Sequence, residues 1–188
     1  MSIQKPIENL TSERRTGSLI LFGYKSSGKT FFGKYLAHAV TAPFIDTDLL
    51  VEELYEKEFS VAGDCKQISL KLGEAGFRVL EKRVIDNLDS TSAVIALGGG
   101  TVLNPENVNK LRQLGLLVYL DVNKEEIKQR IFRQGIPSFL NPKEPEKSFD
   151  AMYEERRTIY ENISSLSVKI DGKTAVEVLN ELLHFWRF

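Results

Sequence analysis

Residues 23–30, Gly23-Tyr24-Lys25-Ser26-Ser27-Gly28-Lys29-Thr30, fit the pattern G-x-x-x-x-G-K-[ST] at every fixed position. This spacing suits one task, cradling phosphate. Gly23 and Gly28 permit turns that a side chain would obstruct. The N–H groups of Ser26, Ser27 and Gly28 can then face phosphate oxygens, and a helix opening at Lys29 adds partial positive charge. Lys29 is expected to reach the β- and γ-phosphates and the Thr30 hydroxyl to ligate Mg²⁺, with Phe31 bordering the nucleotide. The loop predicts ATP binding and leaves the phosphate acceptor open.

Two further groups lie where such an acceptor would sit. Asp46 and Asp48 flank Thr47 at the end of a short apolar run. In an extended backbone both side chains point the same way. One acid could hold Mg²⁺ through water and the other accept a hydroxyl proton; equally, either could cap the following helix. Gly98, Gly99 and Gly100 follow another apolar run. Glycines there let backbone N–H groups approach a small ligand closely, although a sharp turn alone would also use them.

The elements that must position these residues are legible as alternating apolar runs and helical patterns. Short buried strands are predicted at 18–22 (SLILF), 42–45, 93–97 (AVIAL), 116–120 (LLVYL) and 166–170. Helices are predicted at 29–40, with Phe32, Tyr35, Leu36 and Ala39 on one face, and at 49–57. Further helices are expected over 63–89 with breaks near Gly73 and Gly76, and at 124–133, 148–162 and 174–186. Asn104-Pro105-Glu106 reads as a helix start: a cap, then proline, then an acid. Strand–helix alternation implies an α/β domain with a central parallel sheet of about five strands covered on both faces. The glycine- and proline-bearing stretch 134–147 is a lid candidate, and residues 1–16 read as a flexible tail before a single domain at 17–188.

At 188 residues the chain is long enough for one well-filled core, and 42% apolar with 27% charged residues is a globular balance. A net charge of −1 gives no basic field for nucleic acid or a membrane surface. The polar N-terminus lacks the apolar stretch of a signal peptide and no run is long enough to span a bilayer, so a cytoplasmic location is expected; a monomer is expected as well. Cys65 is the only cysteine and can form no internal disulfide; His38 and His184 lie far apart in helical patterns and are not expected in catalysis.

The phosphate loop, Asp46-Thr47-Asp48, Gly73-Glu74-Ala75-Gly76-Phe77-Arg78 with Glu81, and Gly98-Gly99-Gly100 occur in the order found in shikimate kinases, and the chain resembles that family over nearly its whole length from about Ser18. The resemblance implies a three-layer α/β/α P-loop kinase fold with a mobile lid, and ATP- and Mg²⁺-dependent phosphorylation of the 3-hydroxyl of shikimate. It implies that Asp46 helps position Mg²⁺, and that Asp48 binds ring hydroxyls and is the base. It implies that Arg78, oriented by Glu81, and Arg156 hold the substrate carboxylate, and that Gly99 touches substrate. An arginine suits that task on its own chemistry, because its planar fork grips a carboxylate bidentately. Arg157, next to Arg156, is expected to point elsewhere on its helix.

One position departs from the family. Its lids usually carry an Arg-Pro-Leu-Leu run whose arginine reaches over the transferring phosphate. Here Pro137 fits but Ile136 stands in the arginine's place. Comparable arginines contribute on the order of 10³–10⁵ in rate. Arg133, three residues upstream, is the expected catalytic replacement, and Lys143 a second candidate. The resemblance implies that Arg130 stacks on adenine; all three could equally be solvated lid charges. Two alternatives follow: a gluconate-type or other small-molecule P-loop kinase, or a catalytically impaired nucleotide-binding relative. The family loop also often has glycine at the position of Ser26.

Overall fold

The computed structural model describes residues 17–89, 92–137 and 139–186. The 1–16 tail assigned above lies outside them, as does Ser138 of the lid. Strand β1 (Ser18–Phe22) is buried at every residue, so both faces of the sheet at its centre are covered. That is what a continuous apolar run requires of a parallel strand. Around it lie β2 (Phe44–Asp46), β3 (Val94–Ala96), β4 (Gly115–Asp121) and β5 (Leu166–Lys169), in spatial order β2-β3-β1-β4-β5 with every pairing parallel. The register places Ile20 level with Ile95 and Leu117. The chain leaves β1 toward β2 on one side and enters β4 on the other, which makes a switch point at the carboxyl end of β1. In open α/β sheets ligands bind there.

The helices are α1 (Lys29–Ala39), α2 (Thr47–Phe59), α3 (Cys65–Asp86), α4 (Pro105–Leu114), α5 (Lys124–Phe132), α6 (Pro145–Ile163) and α7 (Ala175–Phe185). Asn104 caps α4 by accepting the Glu106 N–H at 2.9 Å, with Pro105 in the first turn, as expected. Two expectations need correction. Helix α1 buries Phe32, Gly33, Leu36 and Ala37, while Tyr35 is 56% exposed. The helix is turned so that the ring of Phe44 lies against Gly33, where a Cβ would come within 2.5 Å of it. The Asp46–Asp48 segment is not extended either. The strand ends at Asp46 and α2 begins at Thr47.

Most buried side chains form one core around the sheet, and Val51, Tyr55, Ile68, Leu80 and Val84 form a second between α2 and α3. This smaller core fixes α3 as a wall facing the carboxyl end of the sheet. The helix is broken at Gly73, whose φ of 71° is left-handed, and its second half carries Arg78 and Glu81. A 3-10 turn at Thr101–Leu103, not anticipated from the sequence, follows the glycines. No helix among the described residues is long and apolar enough to cross a membrane.

Candidate active site

The phosphate loop joins β1 to α1, with Gly28 at φ 97° opening the helix. Lys29 is 8% exposed, and its ammonium donates to the carbonyls of Gly23 (3.2 Å) and Tyr24 (2.8 Å). Burial lowers its pKa to about 8; the Asp48 and Asp46 carboxylates oppose the shift and the like charge of Lys25 adds to it. The Thr30 hydroxyl donates to Asp46 Oδ2 at 2.9 Å. The other oxygen of Asp46 accepts the Asp48 N–H at 3.1 Å and caps α2. Capping α2 thus uses one oxygen of Asp46 and leaves the other facing Thr30. A hydroxyl and a carboxylate oxygen this close form a hard-oxygen pair that fits Mg²⁺, a cation that usually keeps several waters and takes few protein ligands. Ser26 takes φ 65°, left-handed for a residue with a Cβ, and its carbonyl accepts from Arg130 Nη1 at 3.1 Å.

Asp48 stands in the first turn of α2, beside the glycines. Burial raises its carboxyl to about 6, against the pull of the Lys29 ammonium; Asp46 and Glu81 push the same way as burial. Gly98 makes room for it: a Cβ there would lie 2.5 Å from Asp48 Oδ1. The Gly98 N–H donates to the Thr47 hydroxyl at 3.0 Å, which ties the start of α2 to the end of β3. At Gly100 a Cβ would fall 2.4 Å from Arg78 Nη2, so the guanidinium lies directly on that backbone. Arg78 Nη1 donates to Glu81 Oε2 at 2.8 Å, and the other Glu81 oxygen accepts from Thr101 at 2.7 Å. Glu81 is 2% exposed and so holds Arg78 from a fixed, dry anchor. Glu74 adds a looser contact at 3.4 Å.

The carbonyl of the middle glycine, Gly99, accepts from the Tyr160 hydroxyl at 2.6 Å. Burial raises the Tyr160 phenol pKa, and the charges of Arg156 and Arg78 both act on it in the opposite sense. Both guanidiniums therefore act on the field at one tyrosine. Arg156 also lies 5.6 Å over the Phe139 ring. Arg157 is paired with Glu161 at 2.8 Å, away from this group, as helical spacing predicts.

One cavity of about 620 Å³ connects these parts. Its lining includes Ser26, Gly28, Lys29, Thr30 and Phe31 of the loop, Asp48, Gly98–Gly100, and Arg78 and Arg156. Ser27 is buried behind the loop, Gly23 packs under it, and Asp46 reaches the site through Thr30. Gln134, Gly135, Ile136, Pro137 and Phe139 of the lid border the opening. Arg133 does not line this cavity: it is exposed at the C-cap of α5, one residue before the segment that does. Arg130 is likewise turned to the Ser26 carbonyl and to Glu126.

The sequence reading missed several contributors. Tyr24 stacks on Tyr153 at 4.6 Å between ring centroids and donates to its backbone carbonyl at 2.6 Å, fastening the loop to α6. Thr47 and Thr101 act as fixed hydroxyl anchors. Lys25, Lys66, Ser69 and Leu70 line the cavity. Tyr24 and Lys25 occupy variable positions of the motif, so no pattern could single them out.

A family model described as shikimate kinase matches residues 25–187. The chain is 32% identical to a shikimate kinase of Photobacterium profundum over 89% of this chain and 93% of that protein. Among solved structures, a shikimate kinase from Acinetobacter baumannii in complex with shikimate superposes with a TM-score of 0.77 at 28% identity, covering 90% of this chain and 92% of that one. A gluconokinase from Sinorhizobium meliloti shares the fold at a TM-score of 0.57 and 16% identity, covering 93% and 96%.

Proposed function

The chain belongs to the shikimate kinase family, and on that premise we propose how its own residues move the γ-phosphoryl group of ATP to the 3-hydroxyl of shikimate, giving shikimate 3-phosphate and ADP. The carrying observation is that the phosphate loop, Asp48, Arg78 and Arg156 all line one cavity. Arg78, held by Glu81, and Arg156 grip the acceptor carboxylate, and the backbone at Gly98–Gly100 borders its ring. Holding the acceptor still is worth much of the barrier, because phosphoryl transfer needs in-line approach more than covalent help.

Asp48 accepts the proton of the attacking hydroxyl. A carboxyl raised to about 6 is ionised at neutral pH yet basic enough to share that proton in the transition state. The hydroxyl oxygen forms a bond to the γ-phosphorus as the bond from that phosphorus to the β–γ bridging oxygen breaks, and ADP leaves with the electron pair. Lys29 releases the Gly23 and Tyr24 carbonyls to meet the β- and γ-phosphates. Thr30 and Asp46 are the residues that would hold Mg²⁺, which neutralises phosphate charge when bound. Arg130 stands beside the Ser26 carbonyl, where it borders the nucleotide side of the loop. The same reading takes the chain to work as a monomer in the cytoplasm.

The test is ADP release with ATP, Mg²⁺ and shikimate, with Lys29→Met as the control and gluconate as the competing acceptor. Shikimate-dependent release that Lys29→Met abolishes is expected. Release with gluconate but none with shikimate would overturn the acceptor assignment.

A further inference from the structure

The lid position where relatives carry an arginine is apolar. Ile136 borders the cavity, and Arg133 stands outside it. A charge on the transferring phosphoryl group must then come from the cavity wall. Five cationic side chains line that wall: Lys25, Lys29, Lys66, Arg78 and Arg156. Arg78 is committed to Glu81 and Glu74, and Arg156 to the acceptor end beside Tyr160 and Phe139. Lys29, held by the loop carbonyls here, is already assigned to the β- and γ-phosphates in the kinase reading, a charge that relatives carry in addition to a lid arginine. Lys66 sits on the first turn of α3, in the acceptor wall.

Lys25 and Lys66 are both exposed, and among the described residues neither ammonium has an ion pair or hydrogen bond; what sets Lys25 apart is its place. It lies in the phosphate loop itself, and its backbone nitrogen is 3.3 Å from where a Cβ on Gly99 would stand. Lys25 thus sits on the seam between the phosphate cradle and the glycines bordering the acceptor. Its charge is felt at Lys29, so the two ammonium groups share one field. An exposed lysine with a flexible four-carbon stem can swing over an oxygen that becomes more negative without leaving an anchored partner behind.

We propose that Lys25 supplies, from inside the phosphate loop, the positive charge on the transferring phosphoryl group that the lid of this chain lacks at Ile136. The proposal rests on the kinase reading above. A charge acting mainly in the transition state raises kcat more than it tightens ground-state binding.

The experiment compares wild type with Lys25→Ala and Lys25→Arg, and with Ile136→Arg added to Lys25→Ala. It measures kcat, the KM for ATP, and binding of ADP with and without aluminium fluoride, a mimic of the planar phosphoryl group. Lys25→Ala is expected to lower kcat by about 10²-fold or more. Affinity for ADP with aluminium fluoride should fall in step, with affinity for ADP alone within about threefold. Lys25→Arg, and Ile136→Arg in the Lys25→Ala background, should each restore most of the loss. A kcat within about threefold of wild type in Lys25→Ala, or equal losses for ADP with and without aluminium fluoride, would overturn the proposal. Should wild type itself ignore shikimate, the acceptor assignment fails instead, and the aluminium fluoride comparison, run without acceptor, still decides Lys25.

Discussion

Asp48→Asn separates activity from stability, because the same burial that prepares this carboxylate works against folding. The ordinary pKa of 3.8 becomes about 6 in the folded chain, first by desolvation and less what Lys29 gives back. That difference corresponds to about 3 kcal/mol, an upper bound for what ionising Asp48 takes from the folded state. A raised carboxyl stabilises the fold fully below its unfolded pKa and loses that contribution as pH rises through about 6. A neutral, nearly isosteric asparagine side chain escapes the loss. At pH 8 the variant should melt several degrees higher, at about 2–4 °C per kcal/mol for a chain of this size. The gain should shrink as pH falls from 6 and vanish below 3.8. Turnover should drop by about 10²–10⁴-fold above pH 6, and the gap should narrow at lower pH as the wild-type carboxyl takes up its own proton. Calorimetry at pH 8 and at pH 4, beside an ADP-release assay, reads both effects. A variant no more stable than wild type at pH 8, or a gain of the same size at both pH values, would refute the desolvation argument.

Gly100→Ala puts a methyl 2.4 Å from Arg78 Nη2. The displaced guanidinium should raise the KM for shikimate by about 10–100-fold, the size of a lost charged hydrogen bond, and leave the KM for ATP unchanged in the same assay. Ser26→Gly removes a side chain from a left-handed position (φ 65°). Thermal melting should show a gain of up to about 1 kcal/mol with the phosphate loop still functional. For Lys29, depressed to about 8 by burial, kcat/KM for ATP should fall as pH rises through that value in the free enzyme. In a pH profile of kcat this limb should move to higher pH, because bound phosphates favour the charged ammonium.

Local spacing and family motifs suffice for the strand–helix alternation, the phosphate loop, the capping of α4 and the set of acids, glycines and arginines. They do not tell how one residue serves two neighbours. Alternation predicts an extended D-x-D segment, whereas the chain turns into α2 at Thr47 and lets Asp46 both cap that helix and meet Thr30. An apolar pattern misplaces the buried face of α1, because Gly33, invisible to such a pattern, accepts the Phe44 ring. The resemblance implies that Glu81 orients Arg78, but only the folded arrangement brings Thr101 to Glu81 and Tyr160 to Gly99, and leaves Arg133 outside the cavity with Lys25 within it. These contacts join residues far apart in the chain, and their strength comes from dry, fixed surroundings that no single segment creates.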